Sequence, residues 1–153
     1  MRDKYVETFI NSTTEILTSF GIEEIVSGNS YTKESFTCKY NLTTTIGLSG
    51  NVRGNIALSM PYDTAKKIAS IMMMGMEITE IDEMSVSALG EMTNMICGQV
   101  LMELSSQNLS INVTPPTIIH GDEMEAYISQ VETIVVDISF SIGSIELNIG
   151  LEM

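Results

Sequence analysis

Blocks of helical repeat separate blocks of strand repeat in this chain, and that segregation constrains its fold more than any single residue. Val6, Phe9, Ile10, Ile16, Leu17 and Phe20 fall near helical spacing over residues 5–20, and Gly21 suits the stop. Between residues 29 and 60 the pattern changes. Thr, Ser and Tyr alternate with apolar residues through Ser30–Tyr40. Leu42–Leu48 follows, Ser49–Gly54 has hairpin-turn chemistry, and Asn55–Met60 resumes as a strand. Pro61-Tyr62-Asp63-Thr64 then opens a second helix that runs to Gly75. After a short connection, Glu77–Ile81, a long third helix starts at a cap, Asp82 or Ser85, and reaches Leu104 or Ser105. Thr117–His120, Val131–Ser141 and Ile145–Leu151 are β-rich, with a tight turn at Gly143-Ser144. Pro115-Pro116 cannot occupy a central strand and marks the start or the edge of one.

The expected fold is therefore α+β. About three helices pack on an antiparallel sheet of about six strands, in two layers and one domain over residues 1–153. The two halves share a loose order of elements, a hint of internal symmetry.

Charge is distributed unevenly. All seven Lys and Arg lie at or before Lys67, balanced there by seven acids, while residues 68–153 carry thirteen acids and no base, which accounts for the net charge of −13. Affinity for a phosphate backbone comes mainly from Lys and Arg, so nucleic acid is not an expected partner. An anionic membrane surface is disfavoured for the same reason. Partners presenting positive charge are favoured. No stretch approaches the roughly 18 apolar residues that span a bilayer. The first residues run straight into an amphipathic pattern, which predicts a cytoplasmic protein. Cys38 and Cys97 form no metal-ligand spacing and read as small buried hydrophobes. His120, the single His, has no Cys or His neighbour in sequence, so no metal site of the chain's own is expected. Met72–Met74 reads as core filler.

The chemistry concentrates in Ser87-Ala-Leu-Gly-Glu-Met-Thr-Asn-Met-Ile-Cys-Gly98, inside the third helix. Residues three apart share a helix face, so Glu91 and Asn94 project as a neighbouring carboxylate and amide. Such a pair can hold a water molecule or grip a partner's charged groups. At about 100° per residue, Leu89, Met92, Ile96 and Val100 turn to the core. Ser87, Glu91, Asn94 and Gly98 turn the other way, flanked by Ala88, Met95 and Met102. Small residues at 87 and 98 let another surface approach closely, and the Met flank is adaptable. Ser87, Ala88, Met95 and Gly98 are thus the expected partner-binding positions. Gly90 and Gly98 each cost about 1 kcal/mol relative to Ala in a helix interior, which implies a packing or close-approach benefit. Alone, a Glu and an Asn on an outward helix face are usually just solvated side chains.

The surrounding sequence adds specificity. Ile46–Met60, the run Ala65–Gly75 ending in Met-Met-Met-Gly, Ser87–Gly98, and Ile111-Asn-Val-Thr-Pro-Pro-Thr-Ile-Ile-His-Gly121 together resemble the CheX family of bacterial chemotaxis phosphatases. The resemblance covers nearly the whole chain in one order. The related CheC and FliY proteins carry two E-x-x-N helices. Here Glu7 is followed by Ile10 and Glu15 by Thr18, so the single-motif CheX type fits better.

That resemblance implies an enzyme that dephosphorylates the aspartyl phosphate of a CheY-type response regulator. It implies that Asn94 orients the attacking water and that Glu91 pairs with the regulator's active-site Lys. It further implies Mg²⁺ bound by the regulator, with no cofactor of the chain's own, and a homodimer joined through its sheets. The acidity agrees with this division of labour, because phosphoryl transfer needs positive charge that residues 68–153 do not offer. Two other readings compete: a non-catalytic module that senses or sequesters a phosphorylated regulator, and a structural piece of a flagellar switch.

Overall fold

The computed structural model describes residues 2–38, 40–122 and 125–152, with side chains from Tyr5 onward. Three helices, α1 (Arg2–Ser19), α2 (Tyr62–Met72) and α3 (Glu83–Ser105), lie with nine strands. These are β1 (Val26–Lys33), β2 (Phe36–Cys38), β3 (Leu42–Gly50), β4 (Arg53–Met60), β5 (Ile111–Val113), β6 (Thr117–His120), β7 (Ala126–Ser129), β8 (Thr133–Phe140) and β9 (Gly143–Glu152). The main sheet runs β1-β8-β9-β4-β3, with β5 and β6 both paired to the outer side of β3. Every pairing is antiparallel, and β2 and β7 form a separate two-stranded ribbon. The α+β class and the three helices agree with the sequence pattern.

The main sheet has seven strands, in line with the expected sheet of about six, and the separate ribbon has a physical reason. The expected strand Ser30–Tyr40 splits at Glu34-Ser35: β1 joins β8 in the main sheet, while β2 leaves to pair with β7. Lys39 lies outside the described residues. β2 and β5 are three residues each and β7 is four, too short to show a repeat of their own. Pro115-Pro116 separates β5 from β6 on the outer edge of β3, where missing N–H donors face no inner strand. Just before the prolines, Thr114 keeps contact with β3. Its N–H donates to the Gly47 carbonyl at 3.0 Å, and its hydroxyl accepts from the Gly47 N–H at 2.9 Å.

The two halves do repeat an arrangement. A helix is followed by an edge strand that crosses over to the other half's hairpin: β1 onto β8, and β6 onto β3. The two hairpins then meet along β4 and β9.

The helices cover one face. Alternate residues of the central strands supply its apolar layer, among them Ile145, Leu147, Ile149 and Leu151 from β9 and Ile56, Leu58 and Met60 from β4. The intervening residues of β9 are also buried, beneath the β2–β7 ribbon. There the Glu146 carboxylate accepts a bond from Asn148 Nδ2 at 3.1 Å and lies 3.7 Å from Lys33 Nζ.

α3 is the helix against which the rest is arranged. Leu89, Met92, Ile96, Val100 and Leu104 are all buried, each contributing about 1.5–3 kcal/mol of burial energy. Thr93 fixes its register on the sheet: the hydroxyl lies 2.9 Å from both Thr44 Oγ1 of β3 and the Leu89 carbonyl. The Met72–Met74 run departs from expectation. Met72 and Met73 are half-buried, but Met74 is 97% exposed, because α2 has ended and the chain is turning away from the core.

Candidate functional site

The site begins with the cap of α3. Asp82 Oδ1 accepts from the Ser85 N–H at 2.9 Å and from the Ser85 hydroxyl at 2.8 Å, so Asp82 is the cap and Ser85 its buried partner. These bonds favour the carboxylate and hold the Asp82 carboxyl below its ordinary value. A group whose folded value is lowered stabilises the fold above the unfolded value, and that contribution is lost as pH falls through the folded one. Asp82→Ala is therefore expected to lower the melting temperature by a few degrees at neutral pH. The gap from the unsubstituted chain should close as the solution is acidified below the carboxylate range. Thermal scans across that range check it.

From this cap an exposed ridge runs along α3. Ser87, Glu91, Asn94, Gly98 and Met102 are all exposed, while Ala88 and Met95 are half-buried on its flanks. Among the described residues neither Glu91 nor Asn94 has a side-chain hydrogen bond or ion pair. The carboxylate and the amide are thus both free to take a partner from outside.

The two helix-interior glycines have different physical reasons. Gly90 is buried, and a Cβ there would sit 3.3 Å from Ile118 Cδ1 and 3.7 Å from Pro116 Cγ. It is small so that β6 can lie against α3. At Gly98 a Cβ would meet nothing within 4 Å, so no internal packing requires the glycine. Its helix cost of about 1 kcal/mol is carried on the bare side of the ridge.

β6 borders the N-terminal half of this ridge. His120 Nδ1 lies 3.2 Å from the Tyr62 hydroxyl. His120 also shares an open depression of about 720 Å³ with Ser87, Val86, Glu83, Asp82, Ile81 and Glu80. The neighbourhood of His120 was not legible from the sequence, because it depends on pairing between residues far apart in the chain. The same holds for Thr93, whose anchoring hydroxyl was hidden between the two motif residues.

Other chemistries find little support. Burial pushes the thiols of both Cys38 and Cys97 up to about 12, so both are protonated and poor nucleophiles at neutral pH. Among the described residues no group of three or more His, Cys, Asp and Glu is placed to hold a metal ion. No described helix is long and apolar enough to cross a membrane. What α3 presents is an acceptor, Glu91, beside a group that both donates and accepts, Asn94, on a ridge that another molecule can reach.

Known proteins are similar to this chain in sequence and fold. The profile of the family described as Chemotaxis phosphatase CheX matches residues 42–139. A protein of Thermotoga maritima named CheY-P phosphatase CheX is 33% identical over 126 residues, spanning 82% of this chain and 81% of the relative. A crystal structure of chemotaxis protein CheX from Desulfovibrio desulfuricans has a TM-score of 0.86 at 25% identity, covering 97% of this chain and 99% of the other. A CheX-CheY-BeF3-Mg+2 complex from Borrelia burgdorferi superposes with a TM-score of 0.82 at 27% identity, covering 97% and 98%. The chain belongs to the CheX family of chemotaxis phosphatases.

Proposed function

We propose that this chain hydrolyses the aspartyl phosphate of a CheY-type response regulator, using Asn94 and Glu91 as its catalytic pair. The observation that carries the reading is the unpartnered, exposed carboxylate–amide pair on α3. Asn94 orients a water for in-line attack on phosphorus. Its amide can donate and accept at once, and it adds no charge opposing the phosphoryl oxygens. Glu91 pairs with the regulator's active-site Lys and sets the register of docking. Ser87, Ala88, Met95 and Gly98 form the surface that closes on the regulator. Phosphoryl transfer is mostly positioning and charge stabilisation, so the positive charge must come from the regulator's Lys and its bound Mg²⁺. Such a regulator works in the cytoplasm, and the proposal places the chain there.

The test is to mix catalytic amounts of the protein with candidate phosphorylated receivers and follow loss of the acyl phosphate. Many phosphates released per chain supports the phosphatase. A receiver whose phosphate is lost no faster, or more slowly, in its presence indicates sequestration instead. Glu91→Ala is expected to weaken binding of the receiver by about 2 kcal/mol or more, roughly thirtyfold in Kd, since one half of a charge pair is removed at a closing interface. Titration of the activated receiver checks it.

We also infer a homodimer joined through its sheets. β1 supports this as an outer strand with one side unpaired and Val26 exposed. Sedimentation at twice 16.8 kDa is the expected result, and sedimentation at the single-chain mass refutes it.

A further inference from the structure

The end of α2 holds a strained and solvent-facing methionine. The Gly75 N–H closes the helix by donating to the Ser70 carbonyl at 2.8 Å, the long bond of a glycine-type helix stop. Met74, immediately before it, has φ +62, a left-handed conformation unfavourable for any residue with a Cβ. That left-handed turn lets the Gly75 N–H reach the Ser70 carbonyl, and it leaves the Met74 side chain 97% exposed.

Met74 has company. Met76 is 53% exposed, and Met84, in the first turn of α3, is 58% exposed. Met73 and Met84 line a depression of about 340 Å³ together with Glu83 and Ser87. Ser87 begins the ridge, one turn or about 6 Å along the helix from Glu91. Met73 and Met84 are therefore continuous with the proposed catalytic ridge, and Met74 follows Met73 directly in the chain. Exposed Glu77, Glu80, Asp82 and Glu83 rim it.

We propose that Met74, Met76 and Met84 form a second docking surface for the same receiver domain, and that they help determine which regulator the chain accepts. The occupant is an apolar patch with a basic border, beside the receiver's phosphorylation pocket. Continuity with the ridge and the acidic rim favour this partner. Flexible, polarizable methionine suits a surface that must fit a moving signalling domain. The inference rests on the proposed function, because it takes the Glu91–Asn94 ridge as the part inserted into the receiver.

Met74→Gly tests it, because glycine removes the side chain and the strain together. The melting temperature should rise by about 2–4 °C. The Kd for a CheY-type receiver carrying BeF₃⁻ and Mg²⁺ should rise about tenfold, as for loss of an interface anchor. KM for the phosphorylated receiver should rise in parallel with kcat unchanged, and Met74→Gly combined with Met84→Ser should weaken binding further. An unchanged Kd overturns the docking surface even if the protein is stabilised. A changed sedimentation coefficient of the free chain with an unchanged Kd assigns the patch to a second copy and also overturns it. Binding that weakens as expected while the unsubstituted chain hydrolyses nothing refutes the phosphatase reading and leaves the docking surface standing. Absence of any binding removes both.

Discussion

Asn94→Ala is expected to lower turnover of the phosphorylated receiver about 100-fold, equivalent to about 2.7 kcal/mol of barrier, and to leave its Kd within about twofold. The reason is positional. Asn94 is exposed and unpartnered in the free protein, so its truncation removes no internal contact and leaves no buried group unsatisfied. The helix beneath it is held by Leu89, Met92, Ile96 and Thr93, all on the other side. On the proposed mechanism, what is lost is the group that holds the water in line. An amide is a poor general base, so the effect should be one of orientation, with little change in the pH dependence of kcat. Stopped assays of acyl phosphate loss, run beside binding titrations, separate the two effects. A variant that retains the parental rate removes Asn94 from the mechanism.

The second large effect is on the fold. Gly54→Ala is expected to destabilise the protein by about 3 kcal/mol or more, combining a backbone penalty with overpacking. Gly54 has φ +147, where only glycine is comfortable. A Cβ there would run into the Gly150 carbonyl oxygen and stand 2.9 Å from Leu151 Cα. Neither neighbour can yield easily, because β4 and β9 are interior strands paired to each other along the centre of the sheet. The expected fall in melting temperature is roughly 10 °C. A variant that melts with the unsubstituted chain would show that the centre of the sheet tolerates what its geometry forbids. This effect is separate from the proposed chemistry, since Gly54 lies in the β3–β4 hairpin, paired with Leu48 and Leu151.

How much of this was legible in the sequence depended on distance along the chain. The helices were readable because their stripes are local: Leu89, Met92, Ile96 and Val100 repeat within one segment, and Asp82 sits where a cap belongs. The hairpin β3–β4 was readable from Ser49–Gly54 for the same reason. β7 was not, because its pairing with β2 joins residues almost ninety positions apart, as in Cys38 with Ala126. That ribbon also buries Glu146 and Asn148, two polar side chains that β9's simple alternation would send to solvent.

The site shows the same division. The shared face of Glu91 and Asn94, and their exposure, followed from helical geometry. The separate reasons for Gly90 and Gly98 did not, since one depends on Pro116 and Ile118 arriving from β6 and the other on nothing arriving at all. Met72–Met74 misled because hydrophobicity alone cannot tell a helix interior from a helix stop. The left-handed turn at Met74 and Gly75 decides which way those side chains point.

The most direct measurement is a reactivity footprint at position 94. Cys38 and Cys97 are buried with thiols pushed up to about 12, so a thiol reagent should find Asn94→Cys first. With the free protein, labelling at 94 should be as fast as at an exposed control near the β3–β4 turn, Ser49→Cys. Saturating receiver carrying BeF₃⁻ and Mg²⁺ should slow labelling at 94 at least about tenfold and leave position 49 untouched, because the proposal has only the α3 ridge enter the receiver's pocket. Equal labelling of Asn94→Cys with and without bound receiver would contradict the account.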